Sequence, residues 1–216
     1  VFAVAGALSA GAVLAGPPTA ARAASAARPA AKYVYLTFDD GPNPPYTNQV
    51  LDLLAEYHAR ATFFEIGENV AKNPATTRRV HQRGQSVQNH TWSHPDLRKV
   101  SSKVFRAQVL DTDRVIRAQT GVTPTCLRPP YGAVDATVRS RAAALHKSIK
   151  LWTVDPRDWS RPGTSTIVHR VLDNVRPGSV VLMHDGGGIR NQTVAALRQI
   201  LRTLKARGYS FRQLCP

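Results

Sequence analysis

Two spacings of apolar residues alternate along this chain, one suited to strands and one to helices. Compact runs of β-branched, aliphatic and aromatic residues predict strands at 33–38 (YVYLTF), 61–66 (ATFFEI), 85–90 (QSVQNH), 125–128 (TCLR), 149–155 (IKLWTVD), 179–184 (SVVLMH) and 209–214 (YSFRQL). Between them, apolar positions recur every three or four residues, as in Val50, Leu53, Leu54 and Tyr57, or Val194, Leu197, Leu201 and Leu204. That is the period of a helix with one buried face. Ser101 and Ser102 suit the start of a long helix, and Gly121 suits its end. Strand and helix in strict alternation predict an α/β fold with a mostly parallel sheet, and the number of strands suggests a barrel. Composition alone does not separate a barrel from an open doubly wound sheet.

The first 31 residues break this pattern. The run VFAVAGALSAGAVLAG is small and apolar, and the Ala- and Pro-rich stretch after it offers the triplets Ala21-Arg22-Ala23 and Ala24-Ser25-Ala26. This reads as the hydrophobic region and cleavage site of a secretory leader. It is shorter than the roughly 20 apolar residues that a spanning helix needs, so no stable membrane span is expected in the mature protein. The expected organisation is a leader at 1–31 and one catalytic domain at 32–216, secreted or associated with the cell wall. Two cysteines, Cys126 and Cys215, fit an exported protein with one optional disulfide, which would close a long loop and add roughly 4 kcal/mol in the chain-entropy model; two unpaired buried thiols are the alternative.

The formal net charge of +15, from 29 Lys and Arg against 14 Asp and Glu, favours anionic surroundings. Much of it falls on predicted helix faces, such as Arg198, Arg202 and Lys205, where solvated charge is ordinary. A noncatalytic basic module binding wall polymers or polyanions would explain the charge. It would not explain the acid, base and ligand residues described next, and basic residues interleaved with aromatic stacking platforms are not evident, so no specific nucleic-acid partner is expected.

Candidate chemistry collects just beyond the predicted strands. Asp39 and Asp40 close YVYLTFDD, and His90 and His94 stand four apart in HTWSH, where one helical turn would bring both imidazoles to the same side. One carboxylate and two imidazoles are three protein ligands for a divalent metal of borderline softness: zinc first, with cobalt, manganese or nickel as alternatives. With Asp40, His90 and His94 as ligands, Asp39 is free to act as a base. A zinc peptidase would carry a glutamate directly after the first histidine, and residue 91 is Thr. The chain has no Gly-x-Ser-x-Gly elbow, and Gly186 to Gly188 is not followed by a phosphate-loop lysine.

Together with RPPYG at 128–132, DPRDW at 155–159 and LMHD at 182–185, these segments resemble, in order, the five motifs of the polysaccharide deacetylases of carbohydrate esterase family 4, the NodB homology domain. The resemblance implies a distorted, incomplete (β/α)7 or (β/α)8 barrel with one open seam. It assigns Asp39 as general base, held ionised by a bidentate contact from Arg128, and His184 as general acid, with Asp158 as its partner ahead of Asp155 or Asp185. It also implies that the Tyr131 N–H faces the developing oxyanion while Trp159 and Leu182 wall the substrate site. The implied reaction is removal of N-acetyl groups from a glycan containing N-acetylglucosamine, peptidoglycan or a chitin oligosaccharide. Acetylxylan esterases share the same motifs, so ester cleavage is the alternative; oligomeric state is not readable from the sequence.

Overall fold

A computed structural model describes residues 1–12 and 32–216. Residues 1–12 are exposed and carry neither helix nor strand; the rest of the expected leader, with both cleavage-like triplets, lies outside the described residues. Among the described residues, no helix is long and apolar enough to cross a membrane.

The elements run β1 (Lys32–Asp39), α1 (Pro44–Glu56), β2 (Ala61–Glu65), α2 (Gly67–Lys72), α3 (Pro74–Gln82), β3 (Ser86–Asn89), α4 (Ser102–Thr120), β4 (Cys126–Leu127), α5 (Ala136–Ala144), β5 (Ser148–Ile149), α6 (Thr164–Leu172), β6 (Val180–His184), α7 (Asn191–Ala206) and β7 (Tyr209–Phe211). All pairings are parallel, in the order β5-β4-β3-β2-β1-β6, with β7 joining the start of β1 on the side of β2. Among the described residues, β5 and β6 do not pair with each other; the segment after β5 reaches β6 through an isolated bridge from Val154 to Val181. The barrel is therefore incomplete, with its seam at that point.

Period-two alternation sorts β1 into two faces. Val34, Leu36 and Phe38 are fully buried in the main core beneath the helices, against Leu54 of α1, Ile167 of α6 and Leu197 and Leu201 of α7. Each such Leu or Phe contributes about 1.5–3 kcal/mol by leaving water. Thr37 and Asp39 point the other way, toward the buried Arg128. β6 repeats the arrangement, with Val181 and Met183 in the core and Leu182 and His184 lining the cleft. Helix α4 begins at Ser101, whose hydroxyl accepts the Val104 N–H at 3.3 Å, and ends at Gly121 in the left-handed conformation, φ 75°.

The strand predicted at 149–155 is the one marked departure, since β5 ends at Ile149. The next two carbonyls, of Lys150 and Leu151, accept hydrogen bonds from Arg128 Nε and Nη2 at 3.1 and 3.2 Å. A side chain thus occupies acceptors that a continuing strand would offer to a neighbour.

Candidate active site

The carboxyl ends of the strands converge, and register explains how. β1 and β6 are aligned so that Asp39 sits opposite His184, which places the two residues side by side on one rim. Asp40 follows in a left-handed conformation, φ 71°, that swings its carboxylate toward the histidines. Its carbonyl accepts from Asn69 Nδ2 at 2.9 Å, and Gly41 O accepts from Ile66 N at 2.9 Å, so the turn is tied to the far end of β2.

His90 and His94 do not lie on a helix. Residues 90–94 form an irregular loop in which Thr91 (φ 68°) and His94 (φ 61°) both adopt left-handed conformations. Side chains take the place of helical hydrogen bonds: Asn89 Oδ1 accepts the Thr91 N–H at 2.8 Å, and Gln108 Oε1 accepts those of Trp92 and Ser93 at 2.8 and 2.9 Å. Thr91 Oγ1 accepts the His94 N–H at 3.2 Å. The expected juxtaposition of the imidazoles therefore arises by another route, with their ring centres 4.9 Å apart.

His90 Nε2 and His94 Nε2 each lie 3.4 Å from Asp40 Oδ1, and one ligand atom from each of the three residues falls within 4.8 Å of the others. Asp40 Oδ1 is buried and has no hydrogen-bond partner. An orphaned acceptor facing two ring nitrogens is a donor set suited to a divalent cation. His90 Nδ1 lies 2.7 Å from the Arg128 carbonyl, which only accepts, so Nδ1 carries the proton and Nε2 is turned to the site. Burial opposes charge on His90, but Asp39 and Asp40 outweigh it and raise its pKa. Burial, followed by the charge of His90, lowers that of His94. Burial also opposes charge on Asp40, yet the neighbouring histidines, His90 foremost, hold its carboxyl well below the usual range.

Arg128 is fully buried beside Asp39. Its Nη1 donates to Asp39 Oδ1 at 2.7 Å and to Thr37 Oγ1 at 2.8 Å, and its guanidinium lies over the Phe64 ring at 4.1 Å. The expected bidentate clasp is instead one-pronged, because the remaining donors go to the Lys150 and Leu151 carbonyls. Asp39 Oδ2 lies 3.7 Å from His90 Nε2.

His184 Nδ1 lies 2.7 Å from Asp158 Oδ1, while Asp158 Oδ2 accepts from the His184 N–H at 2.9 Å and from Thr193 Oγ1 at 2.8 Å. Burial alone would lower the His184 pKa, but the hydrogen bond and charge of Asp158, with Asp39 and Asp40 adding, push it up to about 9. The other two aspartates are engaged elsewhere. Asp155 Oδ1 accepts the Arg157 N–H at 2.7 Å, and Asp185 Oδ2 accepts from Thr47 Oγ1 at 2.5 Å. Asp185 is wholly buried, and burial, with repulsion from Asp40, pushes its pKa up to about 7.

These groups line a cleft of about 420 Å³ formed by Asp39, Asp40, His90, His94, Tyr131, Trp152, Asp155, Trp159, Leu182 and His184. Tyr131 is 71% exposed, has φ 61°, and stands edge-on to the His94 ring at 4.7 Å. Trp159 is half-exposed and Leu182 is buried in the wall. Trp152 and Asp155 also line the cleft; the sequence brought in Asp155 only as a less favoured partner of His184, and Trp152 was not singled out. Trp152 lay inside a predicted strand, where an aromatic residue reads as core. Gly186 belongs to a glycine run that reads as ordinary loop, yet a Cβ there would collide with the Asp40 carbonyl. The backbone must pass that close to hold the Asp40 turn.

A sequence model described as polysaccharide deacetylase matches residues 26–148. The chitooligosaccharide deacetylase of Sinorhizobium fredii is 44% identical over 192 residues, covering 84% of this chain and 89% of that protein. The peptidoglycan-N-acetylglucosamine deacetylase of Bacillus cereus is 42% identical over 182 residues, covering 83% and 85%. The solved structure of peptidoglycan deacetylase PdaC from Bacillus subtilis superposes with a TM-score of 0.80 at 40% identity, over 87% of this chain and 90% of that one.

Proposed function

Because this chain belongs to the polysaccharide deacetylase family, we propose that its cleft receives an N-acetylated glycan and that Asp40, His90 and His94 hold a divalent metal there, zinc in first place. It is a hydrolase that releases acetate from N-acetylglucosamine units of peptidoglycan or chitin oligosaccharides. The observation that carries the metal reading is Asp40 Oδ1, buried, unbonded, and 3.4 Å from two imidazole nitrogens.

When bound, the metal supplies Lewis-acid polarisation of the acetyl carbonyl and a lowered pKa for water. Asp39, oriented by the Arg128 guanidinium at 2.7 Å, takes the proton of the attacking water. The Tyr131 N–H is the donor assigned to the oxygen that gains charge. His184, protonated under the influence of Asp158, gives its proton to the departing nitrogen, leaving acetate and a free amine. Trp159 and Leu182, in the wall of the cleft, give an apolar surface to the acetyl methyl group or the sugar ring.

We place the site of action outside the cytoplasm. The apolar leader with its cleavage-like triplets supports this, as does the disulfide between Cys126 and Cys215. Ester cleavage stays as a second reading because a family 4 carbohydrate esterase from Streptomyces lividans, solved with acetate, is 35% identical with a TM-score of 0.78.

The test is acetate release from chitin oligosaccharides, peptidoglycan and acetylated xylan, with and without chelation and metal add-back. Metal-restored release from the first two is expected. Asp39→Asn is expected to lower kcat by about 10²–10⁴-fold with metal still bound. Unchanged turnover in that variant would remove Asp39 from the mechanism, and preferential release from xylan would favour the ester reading.

A further inference from the structure

Thr91 stands between the two histidine ligands in a conformation that a β-branched residue rarely adopts, φ 68°. Something must hold it there. Its N–H is taken by Asn89 Oδ1 at 2.8 Å, so the Asn89 amide has to be turned with its oxygen toward the loop and its nitrogen away. The nitrogen is fixed by two acceptors on α4, Val109 O and Asp113 Oδ1, both at 2.8 Å. Asp113 is itself 7% exposed, and its other oxygen pairs with Lys147 Nζ at 2.6 Å. Lys147, 8% exposed, also donates to the Pro124 carbonyl. Every member of this line is buried and partnered, and it runs from a cation behind β5 to the backbone between His90 and His94.

We propose that Lys147 and Asp113 are positioning residues for metal binding: the ion pair orients the Asn89 amide, and that amide holds Thr91 in the strained conformation that aims His90 and His94 at one point. The inference rests on the reading of Asp40, His90 and His94 as metal ligands. A buried ion pair adds little net stability compared with apolar residues of similar volume. What this pair supplies is direction, because a carboxylate presents an acceptor to both Lys147 and Asn89, and an amide has only one oxygen to give.

That difference yields a test with a reversal in it. In Asp113→Asn, an isosteric change, Lys147 claims the single oxygen and the new NH2 faces the Asn89 NH2, donor against donor. Adding Lys147→Met frees the oxygen to turn back toward Asn89. Zinc affinity would be measured by competition with a chromophoric chelator for the parent, Asp113→Asn, Asp113→Asn/Lys147→Met and His94→Ala, with circular dichroism to confirm folding. The expected result is about a tenfold loss in Asp113→Asn, the scale of changes to groups supporting a ligand, and recovery of most of it in the double variant. Parent-like affinity in Asp113→Asn, or no recovery on adding Lys147→Met, overturns the proposal while a loss in His94→Ala leaves the ligand reading standing. Parent-like affinity in His94→Ala as well overturns the ligand reading itself.

Discussion

His90 and His184 are two histidines largely withdrawn from water and both tethered through Nδ1 at 2.7 Å, yet the proposed mechanism gives them opposite work. The tether of His90 is a neutral carbonyl, and the carboxylates that raise its pKa, Asp39 and Asp40, lie on its Nε2 side. A cation arriving there replaces the proton those charges would otherwise hold. The leading charge that raises His184 is Asp158, behind the ring at Nδ1. A proton on its Nε2 is therefore stabilised from the side away from the cleft. The chemistry of a buried imidazole is decided by which of its two nitrogens faces the negative charge.

The sharpest way to break this comparison is to remove each ring. His184→Gln is expected to lower kcat by about 10²–10⁴-fold with metal content unchanged. His90→Gln is expected to lose the metal, read by elemental analysis after dialysis. Metal loss in both variants would mean that the division of labour is wrong. A smaller step is Asp158→Asn, which gives His184 a neutral tether like that of His90. A fall in kcat of about 10–100-fold at neutral pH is expected, with the basic limb of the pH–rate profile displaced downward.

The parent's own basic limb follows from the same pair. In the proposed mechanism His184 acts as an acid only while protonated, so kcat should fall as pH rises through a value at or below about 9, since a bound cation offsets the contribution of Asp39 and Asp40. Stability runs the same way. The folded pKa lies above the ordinary value of 6.5, so the contribution is complete below about 6.5 and is lost as pH rises through about 9. For the metal-free protein this amounts to on the order of 3 kcal/mol, read from denaturant midpoints between pH 6 and 10 and reduced in Asp158→Asn. The smallest catalytic effect is expected from Cys126→Ser/Cys215→Ser. Cys126 lies two residues before the carbonyl that tethers His90, so zinc affinity should weaken by no more than about threefold, while the basic limb stays in place.

The strands and the rim were legible in the sequence because period-two runs ended on the charged residues that carry chemistry, as in Phe38-Asp39-Asp40 and Met183-His184-Asp185. Local spacing failed where side chains replaced backbone partners. The four-residue step from His90 to His94 looked helical, but Asn89 and Gln108, one before the loop and one far after it, capture its amides. The run 149–155 looked like a strand until Arg128, more than twenty positions earlier, took its carbonyls. Trp152 was hidden for the same reason. Lys147 and Asp113 gave no signal at all, since nothing local distinguishes a buried lysine from a solvated one.

Arg128 joins the two halves of the structure in one side chain. It is the countercharge of Asp39, its carbonyl is the tether of His90, and its remaining donors hold the carbonyls of Lys150 and Leu151 at the seam. The guanidinium serves as a rung in a ladder that the backbone leaves unfinished. Catalytic strength and barrel closure therefore draw on a single position and are not separately adjustable there. An exchange at 128 itself, even to lysine, would open the wall of the barrel and the active site in the same stroke.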